Sequence, residues 1–197
     1  MSVRAMLRNE TAVQHERLDS CFSALALSEP EGYRLFLNAN AAALLPLETR
    51  LERAGVAHLL PDWPQRARRA ALMADLRDLG VSRVDTVDAP EFESADSILG
   101  ALYVLEGSRL GSAVLLQRAG SVHGAATRFL AHGRHERLWA SFLPVLEAVS
   151  HDAQTLGRMA QAARRTFETF IHAVSLTLPA TVPARAFSTA PAQGATP

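Results

Sequence analysis

The sequence predicts an all-α protein, and three observations support this prediction. Alanine, leucine and arginine dominate the composition, whereas the β-branched residues typical of strands are sparse. Apolar residues recur at three- and four-residue steps along most of the chain, which is the period of an amphipathic helix. The one stretch with slight strand character, 81–90, has no partner strand elsewhere. We therefore expect a single domain over residues 1–178 with about seven to nine helices.

The N-terminal quarter of the chain is predicted to form two helices. The first covers about residues 3–26, and its apolar stripe places His15 toward the interior. A capping box that begins at Ser28 starts the second helix. Pro46 is expected to kink or split this helix, which then stops at Gly55.

A third helix is expected from Asp62 to Gly80, and a long, mostly apolar helix from Ser94 or Asp96 to about Arg118. Later helices are expected over residues 125–131, 137–149 and 152–176. Residues 179–197 contain Pro, Ala, Thr, Ser and Gly with almost no large apolar side chains. Such a composition cannot bury enough apolar surface to fold, so a disordered tail is expected there.

Composition narrows the class of protein. The 20 basic residues balance the 20 acidic residues, which does not favour a nucleic-acid-binding surface. Cys21 is the only cysteine, so the chain has neither an intrachain disulfide nor a cysteine-based zinc site, and we expect Cys21 to be a small buried residue. The N-terminus lacks a signal-peptide core, and the longest apolar run, 98–105, is too short to span a bilayer. These features predict a soluble, cytoplasmic protein that does not bind membranes.

The long apolar helix contains three glycines, Gly100, Gly107 and Gly111. Each glycine inside a helix costs about 1 kcal/mol relative to alanine. Gly107 and Gly111 are four residues apart and therefore lie on one face of the helix. Either a second helix or a flat ligand could press against the bare backbone of such a face.

His15 is the candidate partner of that glycine-bearing face. A buried histidine with a satisfied hydrogen bond is the simplest interpretation of its position. However, Asp19 follows one turn later, where its carboxylate can fix the imidazole tautomer and leave Nε2 available for a metal. Arg8 lies two turns earlier, where it could meet an anionic group. An imidazole on one side and bare backbone on the other would form a slot for a planar macrocycle.

Two segments resemble the heme oxygenase family. Residues 11–19 (TAVQHERLD) resemble its proximal helix, and residues 102–112 (LYVLEGSRLGS) resemble its distal helix. The chain is most similar to the bacterial members associated with bacteriophytochromes, and the resemblance covers about residues 3–176. It implies an all-α heme-oxygenase-like fold.

The resemblance also implies roles for individual residues. His15 matches the iron ligand, and Asp19 matches the carboxylate that is hydrogen-bonded to it. Arg8 matches a basic residue that meets a haem propionate. Gly107 and Gly111 match the glycines that let the distal helix lie close over the haem.

Three further residues belong to these motifs. Thr11 lies in the proximal motif and is included among the residues expected to contact haem. Ser108 stands where mammalian-type relatives have an aspartate that orders water, which leaves the anchor of the water network unidentified. Ser112 replaces a second glycine, and its hydroxyl is expected either to bond the helix backbone or to narrow the pocket. The second propionate has three candidate partners: Arg134, Arg137 and Arg165.

The resemblance implies that haem is both substrate and oxygen-activating cofactor. O₂ and electrons would open the ring to biliverdin, carbon monoxide and ferrous iron. A separate reductase or ferredoxin would have to supply the electrons, because the chain contains neither a G-x-G-x-x-G motif nor a P-loop. A bacteriophytochrome is a candidate recipient of the biliverdin.

Three alternatives remain open from the sequence. A non-catalytic haem-binding or trafficking protein would share the same ligand site. A thiaminase-like hydrolase would need a nucleophilic cysteine in the pocket, and Cys21 is predicted to point away from His15. A di-iron carboxylate bundle would need paired Glu-x-x-His motifs, but no histidine here has a glutamate three residues before it.

Overall fold

A computed structural model describes residues 1–120 and 126–177, and within these ranges the regular structure is helical, which confirms the predicted all-α class. The predicted tail, 179–197, and the start of the helix expected at 125–131 lie outside the described residues. One 3₁₀ helix covers Val56–His58. The α-helices are α1 (Val3–Glu10), α2 (Ala12–Ser23), α3 (Pro30–Arg53), α4 (Trp63–Arg66), α5 (Arg69–Asp78), α6 (Ala95–Gly107), α7 (Arg109–Ala119), α8 (Arg128–Ala131), α9 (Leu138–Glu147) and α10 (Ala153–Thr177).

The C-terminal helix α10 is the scaffold of the domain, because α1, α2, α3 and α6 all pack on it. Gly100 of α6 lies directly against α10. A Cβ atom there would lie 2.2 Å from the carbonyl oxygen of Met159 and 3.0 Å from the Cβ of Ala162. Gly100 is therefore the glycine that allows two helices to approach each other closely.

The first predicted helix is in fact two helices, and the prediction of one helix over 3–26 is wrong. The chain leaves helical geometry at Thr11, where φ is −115° and ψ is 6°. Thr11 is buried, and its hydroxyl donates to the carbonyl oxygen of Leu7 at 2.7 Å. The same hydroxyl bond occurs at Thr49 and Thr166 inside the continuous helices α3 and α10, so it does not by itself end a helix. Because of the break at Thr11, Arg8 and His15 lie on separate helices.

Helix α3 is continuous, so the expectation that Pro46 splits it is wrong, whereas the alternative, a kink at Pro46, stays a prediction. Pro46 lies inside the 24-residue helix. A proline in a helix interior costs about 3 kcal/mol, and the extensive burial of α3 along its length offsets this cost. The N-cap is Glu29 rather than the predicted Ser28, and no side chain caps this end.

The third predicted helix is divided into α4 and α5 by Ala67, whose backbone is extended. The buried carboxylate of Glu48 accepts hydrogen bonds from the backbone N–H groups of Arg68 at 2.8 Å and Arg69 at 3.2 Å. These bonds satisfy N–H groups that are unpaired at the start of a helix, so α5 begins where Glu48 meets the chain. The later helices α8, α9 and α10 are present with boundaries that differ from the predicted ones by a few residues.

The long apolar helix is interrupted at Ser108, so the prediction of one uninterrupted helix from 94 to 118 is wrong. It begins as predicted at Ser94, which forms a capping box with Ser97. By length and hydropathy alone, the 25-residue segment Ala95–Ala119 could cross a membrane, but half of its most apolar window is buried inside this fold. The interruption at Ser108 separates α6, which is mostly buried, from α7, in which only Ala119 is buried.

Candidate active site

The side chain of His15 is exposed, so the prediction that it points into the core is wrong. Its Nδ1 lies 2.9 Å from Oδ2 of Asp19, and the two side chains are 62% and 68% exposed. The imidazole ring packs on Phe167 of α10 in a T-shaped arrangement, with 5.7 Å between ring centroids. In a neutral imidazole, donation from Nδ1 to the carboxylate leaves Nε2 with a free lone pair. The geometry therefore provides an accessible nitrogen ligand.

Two ion pairs fasten the N-terminal helices to α10. Arg17 of α2 lies 2.7 Å from Glu168, and Glu10 of α1 lies 2.6 Å from Arg164. These pairs flank Thr11, where the two helices meet. Together with the packing of α2 on α10, they fix the position of the helix that carries His15.

The glycine face is the part of α6–α7 formed by Gly107, Leu110, Gly111 and Val114. Their spacing of i, i+3, i+4 and i+7 places them on one side of the segment. A Cβ atom at Gly111 would have no neighbour within 4 Å, and Leu110 and Val114 are each 59% exposed. At Gly107, a Cβ atom would contact only the ring of Trp139, at 3.7 Å. The glycine face is therefore open, and helix packing explains Gly100 alone.

A cluster of aromatic and basic side chains lies at the Gly107 end of the glycine face. The rings of Tyr103 and Trp139 lie 6.1 Å apart, and the Arg4 guanidinium lies 5.7 Å from the centre of the Trp139 ring. Burial raises the pKa of Tyr103, while a hydrogen bond to Thr11 and the charges of Arg4 and Arg8 act in the opposite direction. Arg8 is exposed beside α6, whereas Thr11 is buried. Tyr103 was not predicted as a site residue.

Ser108 uses its hydroxyl inside the helix interruption. The hydroxyl donates to the carbonyl oxygen of Leu105 at 2.7 Å and accepts from Nη2 of Arg68 at 2.9 Å. The hydroxyl of Ser112 points back to the carbonyl oxygen of Ser108 at 3.5 Å, a weak bond of the kind expected from the sequence. Both serines therefore interact first with their own helix.

A buried ionic network lies beside Ser108. The Glu106 carboxylate accepts from Arg66 at 2.8 Å and from two nitrogens of Arg109, each at 3.0 Å. The exposed fractions of these side chains are 1% for Glu106 and Arg66 and 9% for Arg109. Arg66 also bonds Ser141 and the backbone of Leu138, which ties α4 to α9. The network holds the end of α6 against two other elements.

The three arginines expected from the sequence to bind the second haem propionate lie at two different surfaces of the protein. Arg134 and Arg137 line a cleft of about 300 Å³ beside α7, which Leu110 also lines. Arg165 instead lines a cleft of about 240 Å³ between α10 and the segment before α6. Arg134 and Arg137 are therefore next to the glycine face, and Arg165 is at another surface.

Two of the alternative interpretations lose support. Cys21 is fully buried, and burial raises the pKa of its thiol, which disfavours a nucleophilic thiolate. In residues 1–120 and 126–177, no group of three or more His, Cys, Asp or Glu side chains could hold a metal ion together.

The exposed imidazole of His15 on α2 and the open glycine face of α6–α7 form the candidate site, and α2 and α6 both pack on α10. The fold that holds them is that of a haem-degrading oxidoreductase. The sequence model of the heme oxygenase family matches residues 1–175, and the chain belongs to this family. It is 30% identical over 182 aligned residues to heme oxygenase PigA of Pseudomonas aeruginosa, covering 86% of this chain and 92% of the relative.

Solved structures agree with this assignment. The NO- and CO-bound heme oxygenase of Neisseria meningitidis aligns with a TM-score of 0.77 and 25% identity, covering 92% of this chain and 96% of that one. The heme oxygenase of Leptospira interrogans shares the fold, with a TM-score of 0.68, 17% identity and coverage of 89% and 100%. Haem is accordingly the substrate of this enzyme, and biliverdin is the general product of the family.

Proposed function

We propose that this chain binds haem between His15 and the glycine face, with Nε2 of His15 as the iron ligand. The main observation behind this proposal is that Nδ1 of His15 lies 2.9 Å from the Asp19 carboxylate while both side chains are exposed. A carboxylate partner fixes the tautomer and raises the basicity of a ligating imidazole, and a core histidine would not need 62% of its side chain exposed.

The glycine face is proposed as the distal wall of this site. An open, apolar surface at Gly111, Leu110 and Val114 suits the flat apolar part of a macrocycle. Without a side chain at Gly107 or Gly111, the backbone itself can come close to the ligand and limit which edge of the ring is accessible. Ser108 and Ser112 would line the same wall.

The basic end of the site is proposed to hold the haem carboxylates. Arg8 is exposed beside Tyr103, and we assign it to one propionate because its charge reaches the Gly107 end of the glycine face. Arg134 and Arg137 lie in the cleft beside α7 and are the better candidates for the other propionate. A guanidinium can bind a carboxylate through two parallel hydrogen bonds.

When bound, haem supplies the iron that activates O₂ and the macrocycle that is opened. The chain's own residues would hold and orient the ring, with His15 on one side and the glycine face on the other. A reductase or ferredoxin is proposed to deliver the electrons, and a bacteriophytochrome is the proposed recipient of biliverdin. A cytoplasmic location remains part of this proposal.

An optical titration with haemin tests the proposed ligand. The wild-type protein should bind one haemin and show the iron–histidine stretching mode in the ferrous state by resonance Raman spectroscopy. His15→Ala should lose that mode, because the imidazole is absent, whereas the control His151→Ala replaces an exposed histidine between α9 and α10 and should keep it. An unchanged iron–histidine mode in His15→Ala would show that another residue is the ligand.

A further inference from the structure

A carboxylate of α9, that of Glu147, holds the N-terminus of α1. Its Oε2 accepts from the backbone N–H of Val3 and its Oε1 from that of Arg4, each at 2.9 Å. Both N–H groups belong to the first turn of α1, where a helix provides no partners of its own for them. Glu147 is 144 residues from Val3 in the chain, so this bond joins two distant segments.

The position of Glu147 is unfavourable for α9 itself. Glu147 is the last residue of α9, where the helix dipole disfavours a negative charge, and the last turn contains no basic residue that could compensate. The first turn of α1, in contrast, contains no acidic residue of its own. The same carboxylate is therefore unfavourable on α9 and favourable at the start of α1, which indicates that its role is at α1.

Helix α1 depends on this attachment because little else fixes it. Its eight residues are too few to form a stable helix alone. Within α1, Val3 and Leu7 are the buried residues. The ion pair at the other end, between Glu10 and Arg164, is partly exposed and therefore weak. The two bonds from Glu147 consequently fix how α1 lies on α9.

Helix α9 meets α1 at a second point, which lies beside the proposed haem site. The Arg4 guanidinium lies 5.7 Å from the centre of the Trp139 ring. Trp139 is also the ring that a Cβ atom at Gly107 would contact. Arg8 follows one turn after Arg4 on the same side of α1. The position of α1 on α9 therefore sets where Arg8 lies relative to the Gly107 end of the glycine face.

We propose that Glu147 is a positioning residue for ring opening: by fixing the N-terminus of α1 to α9, it places Arg8 at a haem propionate and so sets which edge of the ring faces the glycine face. This inference rests on the proposed haem site. The propionates are the charged groups at the edge of the macrocycle, so the guanidinium that binds them fixes the rotation of the ring in its plane. Glu147 acts through α1 and does not touch the haem.

The isomer composition of the biliverdin tests this role, because each isomer corresponds to opening at a different edge of the ring. Wild type should form one predominant isomer. Glu147→Gln keeps an oxygen for one backbone N–H and turns an amide group toward the other, so α1 should shift and at least two isomers should form. The affinity for haemin should fall by about fivefold, the effect typical of a lost helix cap.

The attachment of α1 can be measured without haem. In haem-free Glu147→Gln, the amide hydrogens of residues 1–10 should exchange faster than in wild type, because the start of α1 is no longer held. The exchange of α10 should be unchanged. Equal exchange of residues 1–10 in both proteins would show that Glu147 does not hold α1.

Two further variants separate positioning from a general loss of stability. Ser2→Ala removes the other cap of α1, a hydroxyl that accepts from the N–H of Ala5 at 3.2 Å, but leaves the bonds to α9 intact. It should therefore loosen α1 and keep the single isomer. Arg8→Ala should give mixed isomers by itself, and adding Glu147→Gln to it should change the mixture no further, because both changes act through the same contact.

Three results would overturn the inference. A single wild-type isomer in Glu147→Gln would show that the attachment does not orient the ring. Mixed isomers in Ser2→Ala would show that any weakening of α1 has the same effect. A further change when Glu147→Gln is added to Arg8→Ala would show that Glu147 does not act through Arg8. A wild-type protein without a His15-ligated haem spectrum would instead contradict the proposed function itself, so the two failures are distinguishable.

Discussion

Nδ1 of His15 and the Asp19 carboxylate are 2.9 Å apart on the surface of α2, one helical turn from each other. A pair of this kind is worth little for stability when both side chains are exposed. Its effect is on the imidazole, because the carboxylate selects the tautomer in which Nε2 can accept a metal.

Asp19→Asn tests this relationship. The amide keeps a hydrogen-bond acceptor and removes the negative charge, so the imidazole should become a weaker iron ligand. We expect a lower frequency of the iron–histidine mode and an affinity for haem reduced by about 10-fold. The control Glu16→Gln removes a charge from an exposed neighbour on α2 and should change neither value. Equal frequencies in Asp19→Asn and wild type would remove Asp19 from the site.

The glycines should differ in their effect on the stability of the haem-free protein. Gly100→Ala would place a methyl group 2.2 Å from a backbone oxygen of α10, and overpacking of this kind costs about 1–3 kcal/mol or more. Gly111→Ala meets nothing within 4 Å, so it should gain up to about 1 kcal/mol of helix propensity. Chemical denaturation of both variants measures the difference. Strong destabilisation by Gly111→Ala would mean that another part of the chain covers the glycine face.

Glu106→Gln should be strongly destabilising. The carboxylate is the buried partner of both Arg66 and Arg109. Removing its charge leaves Arg109 without a carboxylate partner and leaves Arg66 with only the half-exposed Asp62, at 2.8 Å. Loss of one partner of a buried ion pair costs about 3–5 kcal/mol. Urea unfolding provides the measurement, with the exposed Glu93→Gln as the control. A change as small as that of Glu93→Gln would mean that the network is not needed for the fold.

Stability should fall in mild acid because of His132. Its Nδ1 lies 3.3 Å from a nitrogen of Arg109, which can only donate, so the imidazole must be neutral. Burial, together with the charges of Arg109 and Arg68, lowers the pKa of His132. Glu136 and Glu106 act in the opposite direction to a smaller extent.

Below about pH 6.5, His132 binds a proton in the unfolded chain but stays neutral in the folded chain. The free energy of unfolding therefore falls as the pH decreases from about 6.5 to the lower pKa of His132 in the folded chain. His132→Asn keeps an acceptor for Arg109 and should lose less stability than wild type between about pH 7.5 and 5.5. Urea unfolding at both pH values measures this, with the exposed His151→Asn as the control. The same pH dependence in His132→Asn and wild type would exclude His132 as the cause.

The helices themselves could be predicted from the sequence because their apolar periodicity is local. The capping signal at Ser94 is equally local and marks the start of α6 correctly. The glycine pair at 107 and 111 and the His15–Asp19 spacing identify the candidate site for the same reason: each is a relationship within one helix.

The interruptions and the buried charges could not be predicted in this way. The break at Thr11 has no local signal, because threonines that make the same hydroxyl bond lie inside the continuous helices α3 and α10. Helix α5 begins where Glu48 from another helix meets the chain. The pairing of Arg66 with Glu106 joins residues 40 positions apart, a separation at which the sequence carries no local pattern. The apolar periodicity of α2 predicts an inward His15 because it identifies only a face of the helix. The packing of α2 on α10 decides which residues of that face are covered, and it leaves His15 exposed.

Haem binding against the glycine face is tested most directly by the product of a single turnover of the stoichiometric haem complex. Wild type and Gly111→Ala are compared, with ascorbate as electron donor in air. Wild type should lose its Soret band and form biliverdin. Gly111→Ala should fold as well as wild type yet form little biliverdin, because its added methyl group occupies the open space over the glycine face. Biliverdin formed by Gly111→Ala at the wild-type rate would contradict the placement of haem against this face.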